Sequence, residues 1–368
     1  MLLTEFIHTH ENWEELLTAP PYSLCIRRDG GYIMFSYNQI ESDFCNALVR
    51  ECRGVILHEK TFKPVCVPFY KFGNYGENYV PEIDWSSARV QEKIDGSIIK
   101  VWYDDGKWRV STSGNIDAYK AELTRTDLFE DGCTFGNFGE LFDAARKISG
   151  LDYDKLDKNN TYMFELIGPY NKVIVLYKEL GIYHIGTRSN VTLEEIDTDI
   201  GIRKPAEYAL GSLDMCIAAA RGLPDDKEGY VVVDKHYNRI KVKNPVYVAL
   251  HHMKTGAEPS LSSLIGVIRK NEIGEYLNYF PEYASYVRSC KLKIDRLIGG
   301  LESGLSEIKD KRFDTQKDFA LAVKDRPFCG FYFDWRRTPS ITPKQWFWSM
   351  TDDKIRSILI NMNINKDN

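Results

Sequence analysis

The strongest constraint on the fold is a change in hydrophobic pattern near residue 254. Before it, strand-type runs dominate, such as TYMFELI at 161–167. After it, apolar residues recur every three to four positions, as in the stripe from Tyr283 to Ile308, which is typical of helices. The segment 253–263 combines Gly, Pro and Ser and is typical of a linker. The sequence therefore predicts an α+β domain over 1–254 and a helical domain over 255–368.

Local signals place individual elements within this plan. Residues 90–114 predict a β-meander whose Asp-Asp-Gly at 104–106 forms a hairpin turn. The apolar run NKVIVLY at 171–177 predicts a strand. A helix is predicted over 205–222, with Pro205 in its first turn, and Thr342-Pro343 predicts the start of another.

Composition excludes several classes of protein. The chain has 48 basic and 53 acidic residues, so a uniformly basic nucleic-acid binder is excluded, although a local basic groove is not. No apolar run approaches the 18 residues of a membrane span, and the acidic N-terminus is unlike a signal peptide. The eight cysteines form no C-x-x-C pair, which indicates reduced thiols and a cytoplasmic protein without membrane attachment.

Charged residues recur at the ends of the predicted strands. The first group is Lys93-Ile94-Asp95-Gly96, and alone it is equally typical of a turn with a solvated lysine. Glu165 ends a strand downstream, Glu228 opens the strand GYVVV, and Lys241 and Lys243 alternate in RIKVK. Each has an ordinary explanation as a solvent-facing charge, but those explanations do not account for their order and spacing.

This ordered set resembles the motifs of the covalent nucleotidyltransferases, which include DNA ligases, RNA ligases and mRNA capping enzymes. The strings ECRG at 51–54, KIDGS at 93–97, FELIGPYNKVIVLY at 164–177 and KVKNPVYVALH at 241–251 resemble the phage-type RNA ligase 1 family most closely. The resemblance covers roughly residues 30–254. It implies a two-sheet nucleotidyltransferase domain, followed by a helical domain that selects the RNA substrate.

The resemblance implies that Lys93 attacks the α-phosphate of ATP and forms a lysyl-AMP intermediate. A lysine amine is normally protonated, so cationic neighbours or burial must favour its neutral form. Lys241 and Lys243 share one face of their strand and would supply that charge and stabilise the transition state. Tyr247 matches a position that the family needs for joining.

Further residues match nucleotide-binding positions of the family. Arg53 would grip the triphosphate, because its planar guanidinium suits bidentate contact with phosphate. Glu165 and Glu228 would hold a hydrated Mg²⁺ or Mn²⁺ ion, and Glu165 would also accept a ribose hydroxyl. The remaining positions assigned to the nucleotide are Tyr37, Lys71, Glu92 and Gly96.

Two positions depart from the family pattern. Gly73 follows Lys71-Phe72 where the family often has a second aromatic residue. Ser113 precedes Gly114 where the family usually has a basic residue, which leaves Arg109 as a substitute for the phosphate contact.

The function implied is ATP-dependent joining of RNA 5′-phosphate and 3′-hydroxyl ends, in the repair of broken tRNA, by a monomer in the cytoplasm of a phage-infected cell. Two alternatives remain open on the sequence. A capping-type guanylyltransferase would use the same lysine with GTP, but would need a strand-rich OB-fold, for which the region after 254 shows no pattern. A non-catalytic RNA-binding module on the same fold would not need every charged position.

Overall fold

The computed structural model describes residues 1–123, 135–252 and 261–361. The chain divides into two compact units, Met1–His251 and His252–Asn368. The predicted linker boundary at 254 lies in 253–260, outside the described residues. The predicted class, α+β followed by helices, is confirmed.

The first sheet is an antiparallel meander of N-terminal strands in the order β1-β2-β3-β4. Helices cover one face, and alternate apolar side chains such as Ile33, Phe35 and Val55 point into that core. The elements are β1 (Leu24–Asp29), β2 (Tyr32–Tyr37), β3 (Arg53–His58) and β4 (Pro64–Cys66), with helices α1 (Leu2–Thr9), α2 (Trp13–Thr18) and α3 (Ala47–Glu51).

The second sheet has the order β10-β9-β8-β6-β7 and packs against helix α4. Its β6–β7 hairpin confirms the predicted turn, because Asp104 pairs with Lys107 while Asp105 and Gly106 take positive φ angles of 51° and 77°. The elements are β6 (Ser97–Asp104), β7 (Lys107–Thr112), α4 (Phe138–Ser149), β8 (Asn160–Ile167), β9 (Gly181–Ser189) and β10 (Glu195–Ile196).

The third sheet has the order β11-β5-β12-β13 and packs against helix α5. Its elements are β5 (Arg89–Glu92), β11 (Glu207–Tyr208), α5 (Leu213–Arg221), β12 (Gly229–Val233) and β13 (Arg239–Lys243), after which α6 (Pro245–His252) follows. Two sheets were expected, whereas the described residues form three, because β1–β4 pair with one another as a separate sheet.

Two predicted elements of this unit are wrong. Residues 171–177 are not a strand, because the Asp95 carboxylate accepts hydrogen bonds from the Ile174 and Val175 amides and holds the segment as a loop. The helix predicted over 205–222 begins at Leu213. Ser212 provides its N-cap, and Glu207–Tyr208 upstream pairs with β5 instead.

The second unit, as far as it is described, is helical. Buried Val287, Cys290 and Ile294 confirm the predicted apolar stripe of its longest helix, and Thr342 forms a capping box with Gln345. The helices are α7 (Leu261–Arg269), α8 (Ile273–Tyr279), α9 (Ala284–Ser306), α10 (Gln316–Val323), α11 (Cys329–Arg337), α12 (Pro343–Trp348) and α13 (Asp352–Asn361). Among the helices of the described residues, none is both long and apolar enough to cross a membrane.

Candidate active site

Lys93 lies where the chain crosses from the third sheet to the second. It follows the last residue of β5, and its backbone amide donates to the Gly229 carbonyl at the start of β12 over 2.8 Å. Its ammonium Nζ donates to Glu228 Oε2 over 2.6 Å, and the two side chains are 20% and 5% exposed. Strand pairing therefore brings together a lysine and a carboxylate that are far apart in the sequence.

Two further lysines of the site lie on β13, and one of them approaches the same carboxylate. Pairing of β12 with β13 sets Lys243 opposite Gly229, and Lys243 Nζ lies 3.8 Å from Glu228 Oε1. Lys241 is two residues earlier, on the same strand face. Burial holds the pKa of Lys241 well below its usual range, and the nearby charges of Lys71, Lys243 and Lys93 lower that pKa further. Several basic side chains therefore come together in this site.

Glu165 supplies a second carboxylate from β8, opposite Ile98 on β6. Burial raises the pKa of Glu165 to about 7; the positive charge of Lys93 opposes this rise, and the negative charge of Glu228 adds to it. The structure therefore brings Glu165, Glu228 and Lys93 into one electrostatically coupled group. Burial therefore favours the protonated form of Glu165 more than it would for a solvent-exposed glutamate.

Arg53 is held between aromatic rings at the start of β3. Its guanidinium carbon lies 4.6 Å from the ring centre of Phe69 and 5.2 Å from that of Phe72. Burial lowers the pKa of Arg53. Its buried Nη1 has no hydrogen-bond partner among the described residues. An unpaired guanidinium donor in a positive pocket suits a phosphate oxygen, since a buried donor without an acceptor is otherwise costly.

Lys71 and Tyr37 lie together near β3, the strand that begins with Arg53. Lys71 Nζ is 4.8 Å from the ring centre of Tyr37 and 4.3 Å from that of Phe44. The pair is thus a cation–π contact, which fixes the position of the Lys71 ammonium.

Residues 93–95, which follow β5, form a short connection that we call the Lys93 link, and Glu92 and Gly96 flank it. Glu92 pairs across β5 and β12 with Tyr230, and its carboxylate accepts a hydrogen bond from Lys227 Nζ over 2.5 Å. A side chain at Gly96 would collide with the backbone, because a Cβ there would lie 2.4 Å from the Leu166 carbonyl oxygen. Only glycine therefore allows the link to lie so close to β8.

Asp95 connects the link to Tyr247 on α6, a contact that sequence reasoning missed. The Tyr247 hydroxyl donates to Asp95 Oδ1 over 2.9 Å, and both residues are buried. The other carboxylate oxygen accepts from the amides of Ile174 and Val175, at 3.0 and 2.7 Å. Tyr247 therefore lies one hydrogen bond away from the Lys93 link. No sequence signal joins residues 152 positions apart, although Asp95 itself stands in the Lys-x-Asp-Gly motif.

The structure bears on both departures from the family pattern and explains the one at Gly73. Glu77, Tyr79 and Val80 fill the space beside Gly73, whose carbonyl accepts from the Lys241 amide. Arg109 does not replace a basic residue at Ser113. Its guanidinium lies over Tyr32 and Trp102 and pairs with Asp105, in a separate surface cavity.

Comparisons with known proteins show what the chain as a whole is similar to. Residues 51–204 match the family model described as RNA ligase. This chain is a relative of the phage-type RNA ligases. The RNA ligase of Rhodothermus phage RM378 is 26% identical to it, over 89% of this chain and 86% of the phage protein. The resemblance predicted from the motifs is thereby confirmed.

A second relative of this RNA ligase-type chain comes from Autographa californica nuclear polyhedrosis virus, and its name joins a polynucleotide kinase with an RNA ligase. It is 28% identical over 89% of this chain, which spans only 48% of that protein. The chain thus spans about half the length of the first curated relative it matches. A solved archaeal ATP-dependent RNA ligase aligns with a TM-score of 0.42 and 14% identity, covering 81% of this chain and 82% of that one.

Proposed function

We propose that this chain is an ATP-dependent RNA ligase that joins 5′-phosphate and 3′-hydroxyl ends. The observation that supports this most directly is the group around Lys93: a single carboxylate, Glu228, contacts Lys93 Nζ at 2.6 Å and Lys243 Nζ at 3.8 Å. Lys241 and Arg53 lie close enough to this group to interact electrostatically with its members. A nucleophilic amine beside charges that suit a phosphate is the arrangement that nucleotidyl transfer needs.

In the first step, Lys93 Nζ forms a bond to the α-phosphorus of ATP. The bond between the α-phosphorus and its bridging oxygen breaks, and pyrophosphate leaves. The Lys93 ammonium must first lose a proton, and Glu228 Oε2 is placed to accept it at 2.6 Å. Lys241 and Lys243 then stabilise the negative charge that develops on the phosphate oxygens, and Arg53 Nη1 offers its free donor.

Glu165 and Glu228 are the residues that would hold a divalent cation such as Mg²⁺ or Mn²⁺. No cluster of three or more His, Cys, Asp or Glu ligands exists within residues 1–123, 135–252 and 261–361. Two carboxylates suffice for a magnesium ion that keeps most of its waters. Such an ion would neutralise part of the charge on the phosphates of ATP.

In the later steps, AMP passes from Lys93 to an RNA 5′-phosphate, and a 3′-hydroxyl then attacks that phosphate and releases AMP. Tyr247 acts here by holding Asp95, and through it the Lys93 link. Broken tRNA is the substrate that the family resemblance suggests, and the helical unit would select it. We place this action in the cytoplasm, or in a host's cytoplasm for a phage-encoded enzyme, where the seven described free cysteines would stay reduced, and we take the enzyme to act as a monomer.

The test is sealing of a 5′-phosphorylated RNA strand with ATP and Mg²⁺, followed on a denaturing gel. Lys93→Arg keeps the positive charge but lacks a nucleophilic amine, so it should not seal. Lys107→Arg, on the exposed end of β7, is the matched control and should seal as the parent does. Incubation with GTP instead of ATP separates ligation from capping. Sealing by Lys93→Arg at the parent rate, or covalent capture of GMP alone, would contradict the proposal.

A further inference from the structure

Lys100 is a buried lysine that the proposed chemistry does not use. It lies in the middle of β6 between Ile99 and Val101, and its side chain is only 1% exposed. Among the described residues, no carboxylate lies within ion-pair distance of it. Burial, together with the nearby charge of Arg53, lowers the pKa of Lys100 to about 8. Burying an ammonium group is costly, so this side chain must make a contact that compensates for its cost.

That contact is with the backbone next to Arg53. Lys100 Nζ donates to the carbonyl oxygen of Gly54. Gly54 has a φ angle of +76°, and the pairing of β2 with β3 shifts there, from Phe35–Val55 to Ser36–Arg53. Gly54 is therefore the extra residue of a β-bulge. Bulges change the direction of the neighbouring side chain, which here is Arg53.

The bulge is closely packed from the side of the second sheet. A Cβ at Gly54 would lie 2.7 Å from Lys100 Nζ and 2.8 Å from the Ser113 carbonyl oxygen. The Ser113 carbonyl also accepts from the Ser36 hydroxyl over 3.2 Å. The ammonium of Lys100 thus fits directly against the backbone that fixes Arg53, and the space is too small for any other residue at position 54.

We propose that Lys100 is a positioning residue of the ATP site, whose ammonium holds the Gly54 carbonyl and thereby directs the Arg53 guanidinium toward the phosphates of ATP. This inference rests on the proposed function. Arg53 is the group that would contact ATP, because its Nη1 lacks a partner among the described residues while its ring contacts with Phe69 and Phe72 fix its plane. Lys100 is buried and acts through Arg53 alone.

The test measures the rate of lysyl-AMP formation against ATP concentration in the full chain, for Lys100→Met, Arg53→Met and the double variant. We expect Lys100→Met to raise the KM for ATP about fivefold or more, with kcat within about twofold of the parent. In the Arg53→Met background, Lys100→Met should not raise the KM further, because both changes remove the same contact, that of Arg53 with ATP. Lys107→Met is the matched control and should leave the KM unchanged.

A merely structural role would lower the fraction of active protein, and so kcat, without raising KM. An unchanged KM in folded Lys100→Met, or effects that multiply in the double variant, would overturn the inference. If Lys100→Met does not fold, Lys100→Leu removes the same donor with a shorter apolar side chain and should raise the KM in the same way; a folded Lys100→Leu with the parent KM would overturn the inference as well. If the parent chain itself does not react with ATP, it is the proposed function that fails.

Discussion

Replacing Tyr247 by phenylalanine tests the hydrogen bond that joins α6 to Asp95, next to Lys93. The change removes a hydrogen bond of 2.9 Å to a buried carboxylate, since Tyr247 is 2% and Asp95 is 4% exposed. A hydrogen bond to a charged group is worth about 1.5–3 kcal/mol, and its removal leaves a buried carboxylate oxygen without this partner. For a unit of this size the loss corresponds to a fall in Tm of roughly 3–12 °C.

Urea unfolding followed by circular dichroism measures this loss, and RNA sealing measured on the same samples reports the functional effect. The matched control is Tyr119→Phe, which removes a 2.6 Å hydrogen bond to Asp143 at an exposed position. It should cost less than about 1 kcal/mol and leave sealing unchanged. The reasoning is refuted if Tyr247→Phe unfolds within about 0.5 kcal/mol of the parent, the range of neutral surface substitutions.

Three further predictions follow from the same structure. The pKa of Glu165 rises from 4.5 to about 7 on folding, so between these pH values the folded state keeps a proton that the unfolded state loses, and rising pH should cost up to about 3 kcal/mol of stability. Urea titrations at pH 5 and pH 8 should show a smaller loss for Glu165→Gln than for the parent, and an equal loss would contradict the assignment. Glu228→Gln should slow lysyl-AMP formation about 100-fold or more in a single-turnover assay, since the amide cannot accept the Lys93 proton; a rate near the parent's would rule out that role. Gly106→Ala, at φ 77°, should lower stability in thermal unfolding by about 1 kcal/mol without changing sealing; unchanged stability would contradict the turn assignment.

Sequence reasoning succeeded where local chemistry determines the structure. The Asp-Asp-Gly hairpin, the α9 stripe and the Thr342 capping box each depend on neighbouring residues alone. Strand alternation likewise put Lys241 and Lys243 on one face before any pairing was known. The order of the charged motifs was enough to suggest the family.

Sequence reasoning failed where a side chain from a distant part of the sequence determines the local structure. Residues 171–177 have the composition of a strand, but the Asp95 carboxylate, about 80 residues earlier, takes up their amides. The roles of Asp95 and Lys100 were missed for the same reason, since each acts on backbone or side chains from other elements. Arg109 was considered as a substitute for a basic residue at Ser113 because the two positions are close in the sequence. The pairing of β6 with β7 instead places Arg109 at a separate surface cavity.

The most direct test of the account is to locate the nucleotide on the protein. After incubation with ATP and Mg²⁺, intact-mass measurement should show the addition of one AMP, and peptide mapping should place it on Lys93, within the sequence EKIDGS. Addition of pyrophosphate should reverse the modification, and Lys93→Arg should remain unmodified. AMP found on another residue, or an equally modified Lys93→Arg, would contradict the central claim that Lys93 is the nucleophile.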